Sequence, residues 1–154
     1  GTGFYSKEML TRTRLNGMGF DLSPYSLEHT QLLLKAHGAA DRYRTNLVDI
    51  VKTRVEPEAD FLMNIEVLEH LEDPQSFIDA LARMLKPGGH GLISAAINAP
   101  NADHIYLYRD SDEVAEQLCR GGFEIVSSVS DVAYFPRTPN ELVPVNAAFI
   151  VTRK

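Results

Sequence analysis

Six apolar runs of strand length, separated by stretches with helical spacing or by turns, constrain this chain more than any other feature. They fall at 18–22, 43–48, 61–63, 91–96, 123–134 and 145–152. Between them, Met9 and Leu10 give a helix over 5–14 its apolar contacts. Leu27, Leu33 and Leu34 do the same for a helix opened by Ser23-Pro24 and closed at Gly38. Phe77, Ile78, Leu81, Met84 and Leu85 repeat at helical spacing after Asp73-Pro74, with Lys86-Pro87-Gly88-Gly89 as the predicted stop. Ser or Asp before Pro starts a helix because the side chain accepts from free amides and Pro needs no donor in the first turn. A last helix is predicted over 111–120, with Val114 and Leu118 inward. Strands alternating with helices form a mainly parallel sheet with helices on both faces, because each parallel crossover needs a helix. The expected class is therefore α/β and doubly wound. The runs 123–134 and 145–152, joined by the segment from Pro136 to Pro144, form an antiparallel pair at one sheet edge. The predicted sheet centre is Phe61, Leu62, Met63, Leu92 and Ile93, flanked by Leu33, Ile78 and Leu81.

At 154 residues, 44% hydrophobic and 23% charged, the composition is that of one globular domain. A formal net charge of -6 argues against a general nucleic-acid surface, which relies on clustered Lys and Arg. The single cysteine, Cys119, forbids an internal disulfide framework and a multi-cysteine zinc site. No apolar stretch approaches the roughly 20 residues of a membrane-spanning helix, and a cytoplasmic location is expected. The composition does not address the oligomeric state.

Gly1-Thr2-Gly3-Phe4 opens the chain, and Asp21 follows at the end of an apolar run. Glycines allow a backbone to approach a ligand at the mouth of a helix, and a strand-end carboxylate can accept from ribose hydroxyls. The stretch from Asn64 to Pro74, Asn-Ile-Glu-Val-Leu-Glu-His-Leu-Glu-Asp-Pro, comes next, and then Leu85-Lys86-Pro87-Gly88-Gly89. In that order the series resembles the class I S-adenosylmethionine-dependent methyltransferases, in particular the ubiquinone-biosynthesis O-methyltransferase and methyltransferase type 11 and 12 group. Their glycine motif commonly reads acidic-x-Gly-x-Gly-x-Gly. Gly1 and Gly3 match its last two glycines, and the strand carrying the rest would precede residue 1. The resemblance implies a Rossmann-like fold, with 1–154 a single S-adenosylmethionine-binding domain that is incomplete at its N-terminus.

The resemblance assigns the cofactor S-adenosylmethionine to Gly1, Gly3, Asp21, Leu22, Asn46, Leu47, Asn64 and Ile65. Asp21 would hold the two ribose hydroxyls; as a residue after a strand it also reads as a turn or helix cap. For the adenine end, Asn46 before Leu47 competes with Asp49 before Ile50, and either also reads as a turn former. Asn64 and Ile65 would face the amino-acid portion. Glu66, Glu69 and His70 stand at i, i+3 and i+4, on one side of a helical turn. Similar motifs in the ubiquinone-pathway enzymes and in small-RNA terminal 2'-O-methyltransferases hold a divalent cation, so the resemblance implies a magnesium, manganese or zinc site on these three residues. It also makes His70 a candidate catalytic base. The alternative is a structural turn in which Val67, Leu68 and Leu71 pack inward. His104 is a further candidate ligand or base, and Tyr106, Tyr108 and Arg109 are candidates for an acceptor pocket. The implied reaction is methyl transfer to an oxygen, in preference to a nitrogen, of a small molecule. The sulfonium methyl is already electrophilic, so no nucleophilic Ser or Cys is required. The competing readings are a non-catalytic module of the same fold and a nicotinamide dehydrogenase, although Ser6 stands where the latter's third glycine would lie.

Overall fold

The computed structural model describes residues 1–56, 59–135 and 142–154. Much of the proline-rich connection expected between the last two strands lies outside the described residues. The chain divides into two compact units, Gly1–Thr53 and Arg54–Lys154. The class is α/β, as the alternation predicts.

The first unit holds α1 (Phe4–Arg12), β1 (Gly17–Asp21), α2 (Pro24–Ala36) and β2 (Tyr43–Leu47). β1 and β2 pair in parallel from Gly17↔Tyr43 to Asp21↔Leu47. The α2 start is as predicted: Ser23 Oγ accepts from the Ser26 amide at 3.3 Å, with Pro24 first in the helix. Leu10, Leu34 and Ala39 form the buried core, with Ala40 and Tyr43 packed on it. Gly17 faces the Tyr43 ring so closely that a Cβ there would lie 2.7 Å from it, so a side chain at this position would have to displace the ring from its place on the core.

The second unit holds β3 (Ala59–Asn64), α3 (Pro74–Met84), β4 (Leu85–Ile97), α4 (Ser111–Arg120), β5 (Phe123–Val132) and β6 (Val145–Arg153). Its sheet runs β3-β4-β6-β5. β3 and β4 are parallel and joined through α3, whereas β6 is antiparallel to both its neighbours, which gives the expected antiparallel pair. One sheet face carries Ile93, Phe149 and Val151, all essentially inaccessible, together with Ile78, Val114 and Leu118 from the helices.

Two expectations change. Lys86-Pro87-Gly88-Gly89 is not a loop after the helix but part of β4. Leu85 pairs with Ala59 and His90 with Phe61, so the intervening residues are accommodated as an irregularity in the strand. Phe61 is 40% exposed rather than central. Its register partner is His90, which places it on the face shared with Leu92 and Ile150, only half-buried, and not with Ile93. Ile78, Leu81 and Ile93 are buried as predicted, while Leu33, Leu62, Met63 and Leu92 are half-buried.

Candidate functional site

In the first unit the glycine turn and the strand-end acid come together. The Gly1 amino nitrogen lies 2.8 Å from Asp21 Oδ2, and Asp21 Oδ1 accepts from the Ser23 amide at 2.8 Å. Asp21 thus ties the start of α2 with one oxygen, in keeping with the turn reading, while the other faces the glycine turn. Gly3 caps α1 in the left-handed region, φ 80, with no side-chain cap and no acidic residue in the first turn. The α1 amides there are left to face a ligand or water. Leu22 and Leu47 are exposed. Asn46 lies inside β2, with Nδ2 donating to Gly19 O at 3.3 Å. Asp49 folds a turn: its Oδ1 accepts from the Val51 and Lys52 amides at 3.0 and 3.3 Å. The structure therefore gives Asp49 a turn-forming role and leaves Asn46 with a cross-strand contact.

In the second unit, Asn64 ends β3 and is buried, with Nδ2 lacking a partner among the described residues, and Ile65 follows it. The spacing of Glu66, Glu69 and His70 does not put them on one helical face. Glu66 adopts φ 51, and only Leu68–His70 forms a short 3-10 turn. The Glu66 amide donates to Ser94 Oγ at 3.1 Å, and Ser94 Oγ donates back to Glu66 Oε1 at 2.7 Å. Glu66 is thereby held away from a cluster whose third member is His104. Among the described residues, ligand atoms of Glu69, His70 and His104 lie within 4.8 Å of one another.

This cluster is built from two loops. The Tyr106 amide donates to Glu69 O at 2.9 Å, which ties the loop after β4 to the turn after β3. His70 Nδ1 donates to Asp103 O at 2.8 Å, and His104 Nδ1 donates to Ala99 O at 2.6 Å. A carbonyl only accepts, so each Nδ1 carries the proton and each Nε2 of the neutral ring keeps its lone pair. The rings meet edge to face at 4.9 Å. Glu69 is 1% exposed, and its Oε2 lacks a hydrogen-bond partner among the described residues. Burial first, and then the nearby Glu66 carboxylate, raises its pKa above the ordinary value. A buried carboxylate grouped with two imidazoles is a donor set suited to a divalent cation, with backbone carbonyls orienting the rings.

Beside the cluster lies a half-open cavity of about 420 Å³ whose lining includes Glu66, Ala96, Ala99, His104, Tyr134 and Asn146. Its walls come from the ends of β3, β4 and the antiparallel pair. Tyr108 is not part of it: it is fully buried, with its hydroxyl donating to Gln117 Oε1 at 2.9 Å. Desolvation raises its pKa. Arg109 turns to Glu113, and Tyr106 donates to the same residue at 2.9 Å, so this expected pocket group instead fastens α4. Ser94, Tyr134 and Asn146 escaped the sequence reading, since their place depends on strand register rather than on any local motif.

A family described as a methyltransferase domain matches residues 1–93. The ubiquinone biosynthesis O-methyltransferase of Cupriavidus pinatubonensis is 30% identical over 139 residues, covering 89% of this chain and 55% of that protein. The chain thus spans about half the length of such curated relatives. Among solved structures, the [4+2]-cyclase SpnF superposes with a TM-score of 0.84 at 15% identity, covering 99% of this chain and 71% of SpnF. The N-methyltransferase NodS from Bradyrhizobium japonicum WM9, in complex with S-adenosyl-L-homocysteine, gives 0.75 at 17% identity, covering 99% and 73%. At these identities the structural likenesses show the fold alone. Among the described residues no helix is long and apolar enough to cross a membrane.

Proposed function

Because the chain belongs to the methyltransferase domain family, we propose that it acts as one S-adenosylmethionine-binding domain that transfers a methyl group to a hydroxyl oxygen of a small molecule. The observation that carries this reading is the family match over 1–93, which spans the glycine turn, Asp21 and the motif from Asn64 to His70 in one order. In the first unit, the left-handed turn at Gly3 and the Asp21 carboxylate beside it suit the donor's nucleoside, the acid accepting from ribose hydroxyls. Bound S-adenosylmethionine supplies an electrophilic methyl carbon on its sulfonium, so the protein's remaining tasks are alignment and proton removal.

In the second unit, the cavity beside Glu66 and His104 is proposed to take the acceptor. His104 lines it directly, and its Nε2 lone pair can accept the hydroxyl proton. His70, the sequence candidate for that role, packs against His104 and orients it. Oxygen is preferred over nitrogen because a hydroxyl must lose its proton to a base and these two imidazoles supply one; the O-methyltransferase relatives agree. Glu69, with His70 and His104, is the set that would hold a divalent cation. A lone pair given to a cation cannot also take a proton, so with the cation in place the metal, which would lower the pKa of the acceptor hydroxyl, would replace His104 as the activating group.

Calorimetry of S-adenosylmethionine and S-adenosylhomocysteine tests the donor site, and methyl transfer to catechol, phenol and simple amines tests the acceptor class. Asp21→Ala is expected to weaken donor binding by about 1.5 to 3 kcal/mol, the range for hydrogen bonds to a charged group. Unchanged affinity in that variant removes the donor assignment, and transfer only to amines removes the hydroxyl.

A further inference from the structure

The sheet of the second unit ends in β5, and among the described residues no strand flanks its far side. From Val126 to Val132 every residue of β5 is exposed, on both faces, and the stretch carries three valines and a single charge, Asp131. Edges of this kind are normally guarded by Lys, Pro or a bulge, because their open amides and carbonyls template pairing with another chain. Here the guards stand only at the two ends. A bulge between Ile125 and Ser127 interrupts the strand on one side. On the other, Asp131 Oδ1 accepts from the Val132 amide at 2.8 Å. The edge left open is therefore 127–131, with Val129 in its middle. Strand alternation gives its polarity. The Ala133 amide donates to Pro144 O at 2.9 Å, so the backbone groups of Ala133, Asp131, Val129 and Ser127 face β6, and those of Ser128 and Ser130 face outward.

We propose that this edge pairs with the same edge of a second copy of the chain, antiparallel about a twofold axis through Val129, so that two four-stranded sheets become one continuous sheet. The occupant is read from the strand's own symmetry. Counting outward from Val129, the two directions carry Ser128 and Ser130, then Ser127 and Asp131, then Val126 and Val132. A twofold sets each residue opposite the other member of its pair, because such an interface is self-complementary. Ser128 and Ser130 then exchange their outward backbone bonds across the axis. Valine meets valine at all three apolar positions, which in the single chain are 58%, 66% and 41% exposed at 126, 129 and 132. Ser127 meets Asp131, hydroxyl donor to carboxylate acceptor, and the two aspartates stay apart. Neighbouring registers lose this fit. An axis at Asp131 sets two carboxylates face to face, and an axis at Ser127 draws the bulge into the pairing. Val129 also borders a hollow lined by Leu92, Ala148 and Ile150, so the facing valines continue that apolar surface across the axis.

Sedimentation velocity of the full-length protein tests the pairing. Wild type is expected to move from the mass of one chain to that of two as its concentration is raised. Ser130→Pro removes an outward amide at the centre of the pairing and no bond to β6, and an edge strand tolerates proline at such a position. Val129→Lys sets two ammonium groups against each other on the axis. Both variants are expected to keep the wild-type circular dichroism and to remain single chains at every concentration; Val129→Lys, at an exposed position, carries the test should Ser130→Pro fail to fold. Wild type that stays single throughout, or a dimer that survives either substitution in folded protein, overturns the proposal. Cross-linking tests the register. On the axis the two Val129 Cα atoms form a non-hydrogen-bonded pair about 4.5 Å apart, within the roughly 4.4 to 6.8 Å that a disulfide spans. In a Cys119→Ser background, which removes the free thiol, mild oxidation should link Val129→Cys into dimers and leave Val126→Cys, which faces position 132 and not itself, unlinked. Equal linking at both positions, or none at 129, overturns the twofold through Val129.

Discussion

Replacing Gly3 with alanine is expected to damage folding and donor binding together, and the structure separates two causes. A side chain at φ 80 carries a left-handed penalty of roughly 1 to 2 kcal/mol. The added Cβ would also sit 2.6 Å from Thr30 Cγ2, 2.7 Å from its Oγ1 and 2.9 Å from its Cβ. Thr30 cannot simply swing aside, since it is 4% exposed and its hydroxyl donates to Ser26 O at 2.8 Å. Overpacking of this kind costs about 1 to 3 kcal/mol. The two together predict a loss of about 2 to 5 kcal/mol in urea unfolding, with a matching fall in S-adenosylmethionine affinity by calorimetry. In a Thr30→Ala background the two nearest atoms are gone, and the Gly3→Ala loss should shrink towards the left-handed penalty alone. Equal losses in both backgrounds would refute the steric half of the reasoning, and no loss in either would refute the whole of it.

Chelation should lower methyl transfer, and readded magnesium, manganese or zinc should restore it in wild type but not in Glu69→Gln; full turnover in chelated enzyme would remove the cation from the proposal. Ile78→Ala, at a fully buried position packed against Gly121, should cost about 2 to 5 kcal/mol in urea unfolding. Hydrogen bonds from the Ser76 hydroxyl and amide hold the Asp73 carboxyl below its ordinary pKa. A depressed folded pKa means stability present above the unfolded value and lost as pH falls through the folded one. The melting-temperature advantage of wild type over Asp73→Asn should therefore be constant near neutrality and shrink below about pH 4; an advantage that grows with acidity would contradict this.

Features governed by neighbours in sequence were legible. Ser23-Pro24 and Asp73-Pro74 start helices because capping is settled within three residues, and the helix over Ser111–Arg120 was bounded correctly by the Asp110 cap and Gly121. What failed was decided at long range. Glu66 left the helical face because of Ser94, whereas His104, named from the sequence as a further candidate ligand or base, does join Glu69 and His70 because Tyr106 bonds to the Glu69 turn. Phe61 has the hydrophobicity of a core residue, but register with His90 turned it to the more open face. No local pattern encodes the outcome at Glu66 or at Phe61.

The order β3-β4-β6-β5 places the last strand of this sequence inside its sheet, with a consequence for synthesis. As the chain leaves the ribosome, β5 emerges before its hydrogen-bonding partner exists, and β4 has one edge open, so both wait for Val145–Arg153. Until then Phe123 and Ile93 belong to an unfinished layer, a state prone to pairing with other chains. Trimming residues back through β6 would therefore not shorten a tail but remove the wedge that joins two strands.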